Sequence, residues 1–180
     1  MEILLYHPIE TKSVTVPEDF EGYYERGLIQ KYPSDLLRTL ATHVQKFDKK
    51  LRALTVRMIE ILNGTNGLAI AAPQIGTAQR VIIIQTPTKK PVIMVNPEFE
   101  DERGKQIGQE GCLSIPGLYA DVERYESLTI TYQDRKGRTH KLLASGTLAR
   151  IIQHEIDHLN GVLFIDKAIE GTEQWIHPSK

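Results

Sequence analysis

Residues 153–161 read Gln-His-Glu-Ile-Asp-His-Leu-Asn-Gly (QHEIDHLNG). His154 and His158 stand four residues apart, with Glu155 directly after the first. On a helix that spacing puts both imidazoles on one face, one turn apart, with the carboxylate beside them. The flanking residues favour a helix. Gly146 opens it, Leu148, Ile151, Ile152, Ile156 and Leu159 form an apolar side, and Asn160-Gly161 supplies the stop. Two imidazoles on a largely apolar helix need polar partners, and a divalent metal is the simplest one. The competing reading is two surface histidines on an ordinary helix.

A catalytic metal of this kind needs a third protein ligand and an open position for water. One peptidase pattern continues to a third histidine, but Phe164 stands at that position here. Another takes a glutamate from a following helix; Glu170 and Glu173 are available, with only a short tail to build that helix. The remaining candidate is upstream. Cys112 is the sole thiol, within Glu110-Gly111-Cys112-Leu113-Ser114-Ile115-Pro116. A lone cysteine is more often a small buried hydrophobe, but Gly111 lets the backbone bend or approach another group closely.

Working outward, residues 48–64 read as a helix. Asp48 is its N-cap, Leu51, Leu54, Met58 and Leu62 recur at helical spacing, and Asn63-Gly64 ends it. Segments 81–85, 91–96, 128–133 and 139–144 are short, rich in β-branched residues and separated by turn residues, which predicts strands. Asp134-Arg135-Lys136-Gly137 reads as a hairpin connection with Gly137 at positive φ. A first helix, a set of strands and a last helix predict an α+β fold, the strands packed around the central histidine-bearing helix.

The 180 residues suit one domain that buries a core without staples. Net charge is -1, which offers no basic footprint for nucleic acid. One cysteine rules out an intramolecular disulfide. The opening MEILLYHPIE has too short an apolar run and no basic flank for a secretory signal, and Val81-Ile82-Ile83-Ile84 is too short to span a bilayer. The expectation is a cytoplasmic protein without a membrane partner.

Two segments, EGCLSIPG (110–117) and QHEIDHLNG, together with Gly67-Leu68-Ala69-Ile70-Ala71-Ala72-Pro73-Gln74-Ile75-Gly76, resemble the three signature motifs of peptide deformylases in the right order. Tyr32-Pro33, Leu37-Arg38 and Phe47-Asp48 continue the likeness, which spans about residues 28–167. The resemblance implies hydrolysis of the N-formyl group from the initiator methionine of new polypeptides, releasing formate. It also implies that Cys112, His154 and His158 bind the metal and that Glu155 is the general acid/base. Gln74 and the backbone N–H of Leu113 would stabilise the oxyanion. The implied metal is Fe²⁺, with nickel, cobalt or zinc as substitutes.

The physical logic agrees. A divalent ion brings the pKa of a water towards neutrality, a carboxylate can move its proton, and preorganised donors meet the charge of the tetrahedral species. The implied partners are N-formylmethionyl nascent peptides, with docking on the ribosome left open. An extended peptide would pair beside Gly67, Leu68 and Ala69 on one side and Gly111 on the other. Its methionine side chain would lie near Leu68, Ile151 and His154. Arg124 pairing with Glu110 would hold the cysteine loop.

Four features depart from the family pattern. Ala69 replaces a usual glycine, and Gly108 replaces a usual apolar side chain near the methionine pocket. After Lys167 there is no long C-terminal helix, and residues 1–27 form an extra segment of unknown role ahead of a single domain, 28–180. The rival readings are another metal-dependent amidase or peptidase, and a non-catalytic peptide-binding relative with a structural metal. An intact Glu155 and Gln74 weigh against the second, because binding alone requires neither.

Overall fold

The computed structural model describes residues 10–24, 27–86 and 90–177. It is an α+β structure of two antiparallel sheets and two main helices. Helix α1 spans Lys49–Asn63, and the Asp48 carboxylate accepts hydrogen bonds from the N–H groups of Lys50 and Leu51. That cap satisfies two of the N–H groups left without partners in the first turn. Leu51, Met58 and Leu62 are buried as the spacing requires.

Five strands form the larger sheet: β1 (Ala69–Ala71), β2 (Val81–Ile84), β3 (Val92–Arg103), β6 (Ser127–Gln133) and β7 (Thr139–Ser145), in the order β1-β2-β3-β6-β7. Alternate residues face opposite sides. Ile82, Ile84, Met94, Leu128 and Ile130 meet Ala149, Ile152, Ile156 and Leu159 of the second helix, α2 (Gly146–Leu159). Val81, Ile83 and Val95 face Leu51, Met58 and Leu62 of α1. The larger sheet is thus sandwiched between two apolar layers.

The smaller sheet, β4 (Gln106–Cys112), β5 (Ile115–Arg124) and β8 (Gln174–Trp175), has the order β4-β5-β8. Leu118, Ala120 and Val122 pack on Leu163, Phe164 and Ile165, which lie around the 3₁₀ turn Phe164–Lys167. Residues 10–24 lie over this sheet. Phe20 packs 5.0 Å from Trp175 and stacks at 4.2 Å on His177 (ring centroids).

Several expectations need adjustment. The strand expected at 91–96 continues to Arg103, past Pro97, through two register shifts where Asn96 and Asp101 take positive φ. The bulges absorb a proline that would otherwise break the ladder. Leu148, expected on the apolar side of α2, is 37% exposed. Strands β1, β4, β5 and β8 are not among those that the spacing predicts, although the expected peptide pairing beside Ala69 and Gly111 implies an edge at β1 and at β4. The Asp134 turn behaves as expected, with Gly137 at φ +79°.

Helix α2 ends where Asn160-Gly161 stand. Gly161 has φ +71°, and a Cβ there would sit 2.5 Å from the Arg38 carbonyl oxygen. The helix end is pinned further by the Ala41 N–H donating to the Leu159 carbonyl and by the Arg38–Asp166 ion pair. Among the described residues, no helix is long and apolar enough to cross a membrane.

Candidate metal centre and peptide cleft

Helix α2 presents Thr147, Arg150, Ile151, His154 and Glu155 to a cleft of about 590 Å³. Their spacing, i, i+3, i+4, i+7, i+8, is one face of a helix. The opposite wall is the end of β4, where Gly111 pairs with Tyr119 and the register then jumps to Cys112 opposite Ile115. A Cβ on Gly111 would lie 2.6 Å from the Tyr119 ring, so only glycine lets the ring cover the backbone there. Two sheet edges that are free among the described residues border the cleft, β1 on one side and β4 on the other.

Cys112, His154 and His158 come together at this junction. Their candidate ligand atoms all lie within 4.8 Å of one another. The Cys112 Sγ is 3.3 Å from His158 Nε2 and accepts the Ser114 N–H at 3.4 Å. His154 Nδ1 is 2.8 Å from Glu110 Oε2, which leaves its Nε2 for the centre. Such an outer carboxylate fixes the ring orientation and raises the basicity of the inward nitrogen. Phe164, at the place a third histidine would take, stacks on the His154 ring at 6.1 Å instead. Glu170 and Glu173 are exposed.

Electrostatics at the centre favour a thiolate. Burial opposes charge on Cys112, but the adjoining His158 and His154 imidazoles outweigh it and hold the thiol well below its ordinary value. Burial likewise opposes charge on His154, and the hydrogen bonds to Cys112 and Glu110 raise it well above its own. A proton and a metal ion compete for the same nitrogen lone pairs, and one soft sulfur with two imidazoles suits zinc, iron, cobalt or nickel. The residues therefore fit a divalent transition metal. Glu155 is buried, its carboxyl pushed up to about 7 chiefly by that burial, and its Oε2 has no hydrogen-bond partner among the described residues.

Gln74 is 1% exposed, not the loop residue it would be if it stood alone. Its Oε1 accepts the Ala71 N–H at 2.8 Å, so its Nε2 is the end turned to the centre, 3.6 Å from Cys112 Sγ and 3.2 Å from Ser114 Oγ. Leu113, Gly67, Leu68 and Ala69 all line the cleft.

Glu110 is the hub behind the centre. Besides His154 it accepts Arg124 Nε at 2.8 Å, Arg124 Nη2 at 2.9 Å and Arg150 Nη1 at 2.8 Å. Burial opposes its charge, yet Arg124 and His154 hold the carboxyl well below the usual carboxylate range. Arg124 continues to Asp157, which also accepts Lys167 Nζ at 2.7 Å. The expected Arg124–Glu110 pair is present; Asp157, Arg150 and Lys31 were missed. Lys31 lines the cleft and donates to the Leu113 carbonyl at 2.6 Å. Of these, Asp157 had a visible signal, a second carboxylate inside the QHEIDHLNG motif, and it is buried in the structure.

A sequence profile of the polypeptide deformylase family matches residues 27–174. A curated relative, the peptide deformylase of Dictyoglomus thermophilum, is 42% identical over 144 residues, covering 80% of this chain and 94% of the relative. A peptide deformylase of Synechococcus elongatus, solved in complex with actinonin, superposes with a TM-score of 0.76 at 40% identity over 79% of each chain. The Acinetobacter baumannii peptide deformylase, solved with Met-Ala-Ser bound, gives 0.72 at 35% identity over 77% of this chain and 96% of its own.

Proposed function

We propose, from the premise that this chain belongs to the polypeptide deformylase family, that it hydrolyses the formyl amide of N-formylmethionyl nascent peptides, giving formate and a free α-amine. The observation that carries this is the meeting of Cys112, His154 and His158 beside a buried Glu155, in a cleft flanked by two free strand edges. Residues 28–180 act as one metallohydrolase domain and 1–27 as an added segment. The working site is cytoplasmic, where new chains begin, with or without docking on the ribosome.

In this reading Cys112 Sγ, His154 Nε2 and His158 Nε2 hold one divalent ion, Fe²⁺ in preference, with nickel, cobalt or zinc as substitutes. When bound, such an ion supplies Lewis acidity that brings the pKa of a water towards neutrality. Glu155 takes the attacking water's proton; a carboxyl near 7 is matched to both accepting and returning it. The proton then goes to the departing amine as the C–N bond breaks. The Gln74 Nε2 and the Leu113 N–H donate to the oxyanion of the tetrahedral species, and the Gln74 amide is preorganised by its bond to Ala71. The substrate backbone pairs with Gly67, Leu68 and Ala69 on β1's side and with Gly111 on β4, its first side chain lying near Leu68, Ile151 and His154.

The test is formate release from formyl-Met-Ala-Ser by protein loaded with one metal at a time, compared with acetyl-Met-Ala-Ser and with internal peptide bonds. Formate release dependent on metal is expected. Cleavage of internal bonds or of acetyl at a similar rate would favour a general amidase, and metal binding without turnover a binding relative. Cys112→Ala should lose metal, because two histidines alone seldom hold it tightly.

A further inference from the structure

The cleft contains an arginine that the reaction does not use. Arg150 lies one turn before His154 on the cleft-facing side of α2, between Thr147 and Ile151. Its guanidinium is fixed from behind. Nη1 donates to Glu110 Oε1 at 2.8 Å and to the carbonyls of Val122 (2.9 Å) and Gly108 (3.2 Å), and Nη2 donates to the Gln106 carbonyl at 3.2 Å. A Cβ built on Gly108 would be 3.3 Å from Nη2, 3.4 Å from Cζ and 3.5 Å from Nε. Three nearly equal distances mean that the guanidinium plane lies flat over Gly108. The missing side chain at 108 and the arginine at 150 are therefore one feature: the glycine vacates the space that the guanidinium fills. The bonds formed among the described residues engage Nη1 and Nη2 and leave the Nε–H unengaged.

We infer that Arg150 sets the preference for the first substrate side chain, giving that pocket a hydrogen-bond donor where an aliphatic wall would otherwise stand. The inference rests on the proposed deformylation and specifies its substrates. The favoured class is N-formyl peptides whose first side chain carries an acceptor at its δ atom or bonded to it. Methionine's thioether is a weak acceptor and methionine sulfoxide a strong one, whereas norleucine has the same length and no acceptor. A site built to donate a hydrogen bond discriminates against the analogue lacking the acceptor far more than an apolar pocket does. Formyl-methionine sulfoxide peptides, the oxidised form of the ordinary substrate, thus become substrates in their own right.

The experiment uses formyl-X-Ala-Ser with X as methionine, methionine sulfoxide or norleucine, on metal-loaded wild type, Arg150→Met and Arg150→Lys. The quantity read is kcat/KM for sulfoxide divided by that for norleucine. Wild type should favour the sulfoxide, Arg150→Met should lower the ratio at least about tenfold, and Arg150→Lys, which keeps a donor, should recover part of it. Calorimetric binding of the deformylated tripeptides should give the same order without any turnover. A wild-type preference for norleucine, or a ratio unchanged in Arg150→Met, overturns the inference. An equal fall in kcat for all three substrates, with the ratio kept, would also overturn it, showing Arg150 to be a support for Glu110. Should Arg150→Met fail to fold, Gly108→Ala, which presses a methyl group against the guanidinium, must shift the ratio instead. Absence of formate release by wild type would sink the proposed reaction, and product binding would still decide the role of Arg150.

Discussion

The two sheets meet α2 by opposite means. Among the described residues the larger sheet meets it chiefly through aliphatic side chains, Ile82, Ile84, Met94, Leu128 and Ile130 against Ala149, Ile152, Ile156 and Leu159. The smaller sheet is tied to it by ions and polar bonds: Glu110 to His154 and Arg150, Arg124 to Asp157, and the Tyr125 N–H to Gln153 Oε1. Apolar contact is non-directional and scales with area. A buried ionic network is a poor source of stability relative to a well-packed apolar replacement. It does, however, fix directions, and a metal site needs its ligand atoms aimed. The difference teaches where the chain spends stability on geometry: at the seam that carries Cys112 on one side and the histidines on the other.

The strongest way to break this contrast is to open the ionic seam. Arg124→Ala leaves Glu110 and Asp157 buried without their main partner and should cost about 3–5 kcal/mol of folding stability. Ile82→Ala, in the apolar layer against α2, should cost about 2–5 kcal/mol. Urea unfolding of both, alongside metal content, separates the two seams. Arg124→Ala should also lose metal from the folded fraction, and Ile82→Ala should keep it. Equal metal retention would mean that the seam does not aim the ligands.

Next in size is Glu155→Gln, which removes a group that performs chemistry rather than positioning. Its kcat should fall at least about a hundredfold, the scale of general acid–base effects. Metal content and unfolding midpoint should stay near wild type. More than a tenth of the activity remaining, with metal bound, would remove Glu155 from its role.

A pH series sharpens the comparison further. The Glu110 carboxyl is held well below its ordinary value of 4.5 in the folded chain. A depressed carboxyl contributes stability that is fully present above about pH 4.5 and is lost as pH falls through the folded value. The wild-type urea midpoint should therefore drop as pH is lowered from about 5 to 3. Glu110→Gln, less stable at neutral pH, should show a shallower drop over that window. Parallel curves would show that the seam's charge pairing does not contribute to acid sensitivity.

The smallest expected effect is on the other wall. Ala69 lines the cleft on β1, where a glycine would bring the substrate backbone closer. Ala69→Gly should lower KM for formyl-methionyl tripeptides several-fold with little change in kcat, since relief of one strained hydrogen bond is about 0.5–1.5 kcal/mol. Steady-state kinetics on one substrate with one metal decides it, and an unchanged or higher KM would show the methyl group to be accommodated.

The same contrast explains what could be read in the sequence. The apolar seam was legible because its information is periodic. α1, α2 and the strands around Val81, Leu128 and Thr139 announce themselves in spacing, caps and β-branched runs. The ionic seam is not periodic. β4 and β5 are interrupted by Gly108, Gly111 and Pro116-Gly117, and the inward series Leu118, Ala120, Val122 ends in the buried Arg124, so no alternation survives for a reader to count. The candidate ligands were legible through motif and resemblance, and Glu110 through its pairing with Arg124. Arg150 and Lys31 were not, because each takes its meaning from partners 28 to 82 residues away along the chain.

Gly161 also bears on mutational tolerance. Its left-handed backbone and its close approach to the Arg38 carbonyl place two separate demands on a single codon. Asn or Asp can meet the first demand, as they could at Gly146, where φ is +55° and the nearest atom to a new Cβ is 3.9 Å away. No side chain meets the second. A random library at position 161 is therefore nearly sterile, while one at 146 retains members. The failures at 161 also travel: the residue stands one turn beyond His158, so a methyl group pressed against the Arg38 carbonyl is read at the metal centre as a misplaced imidazole.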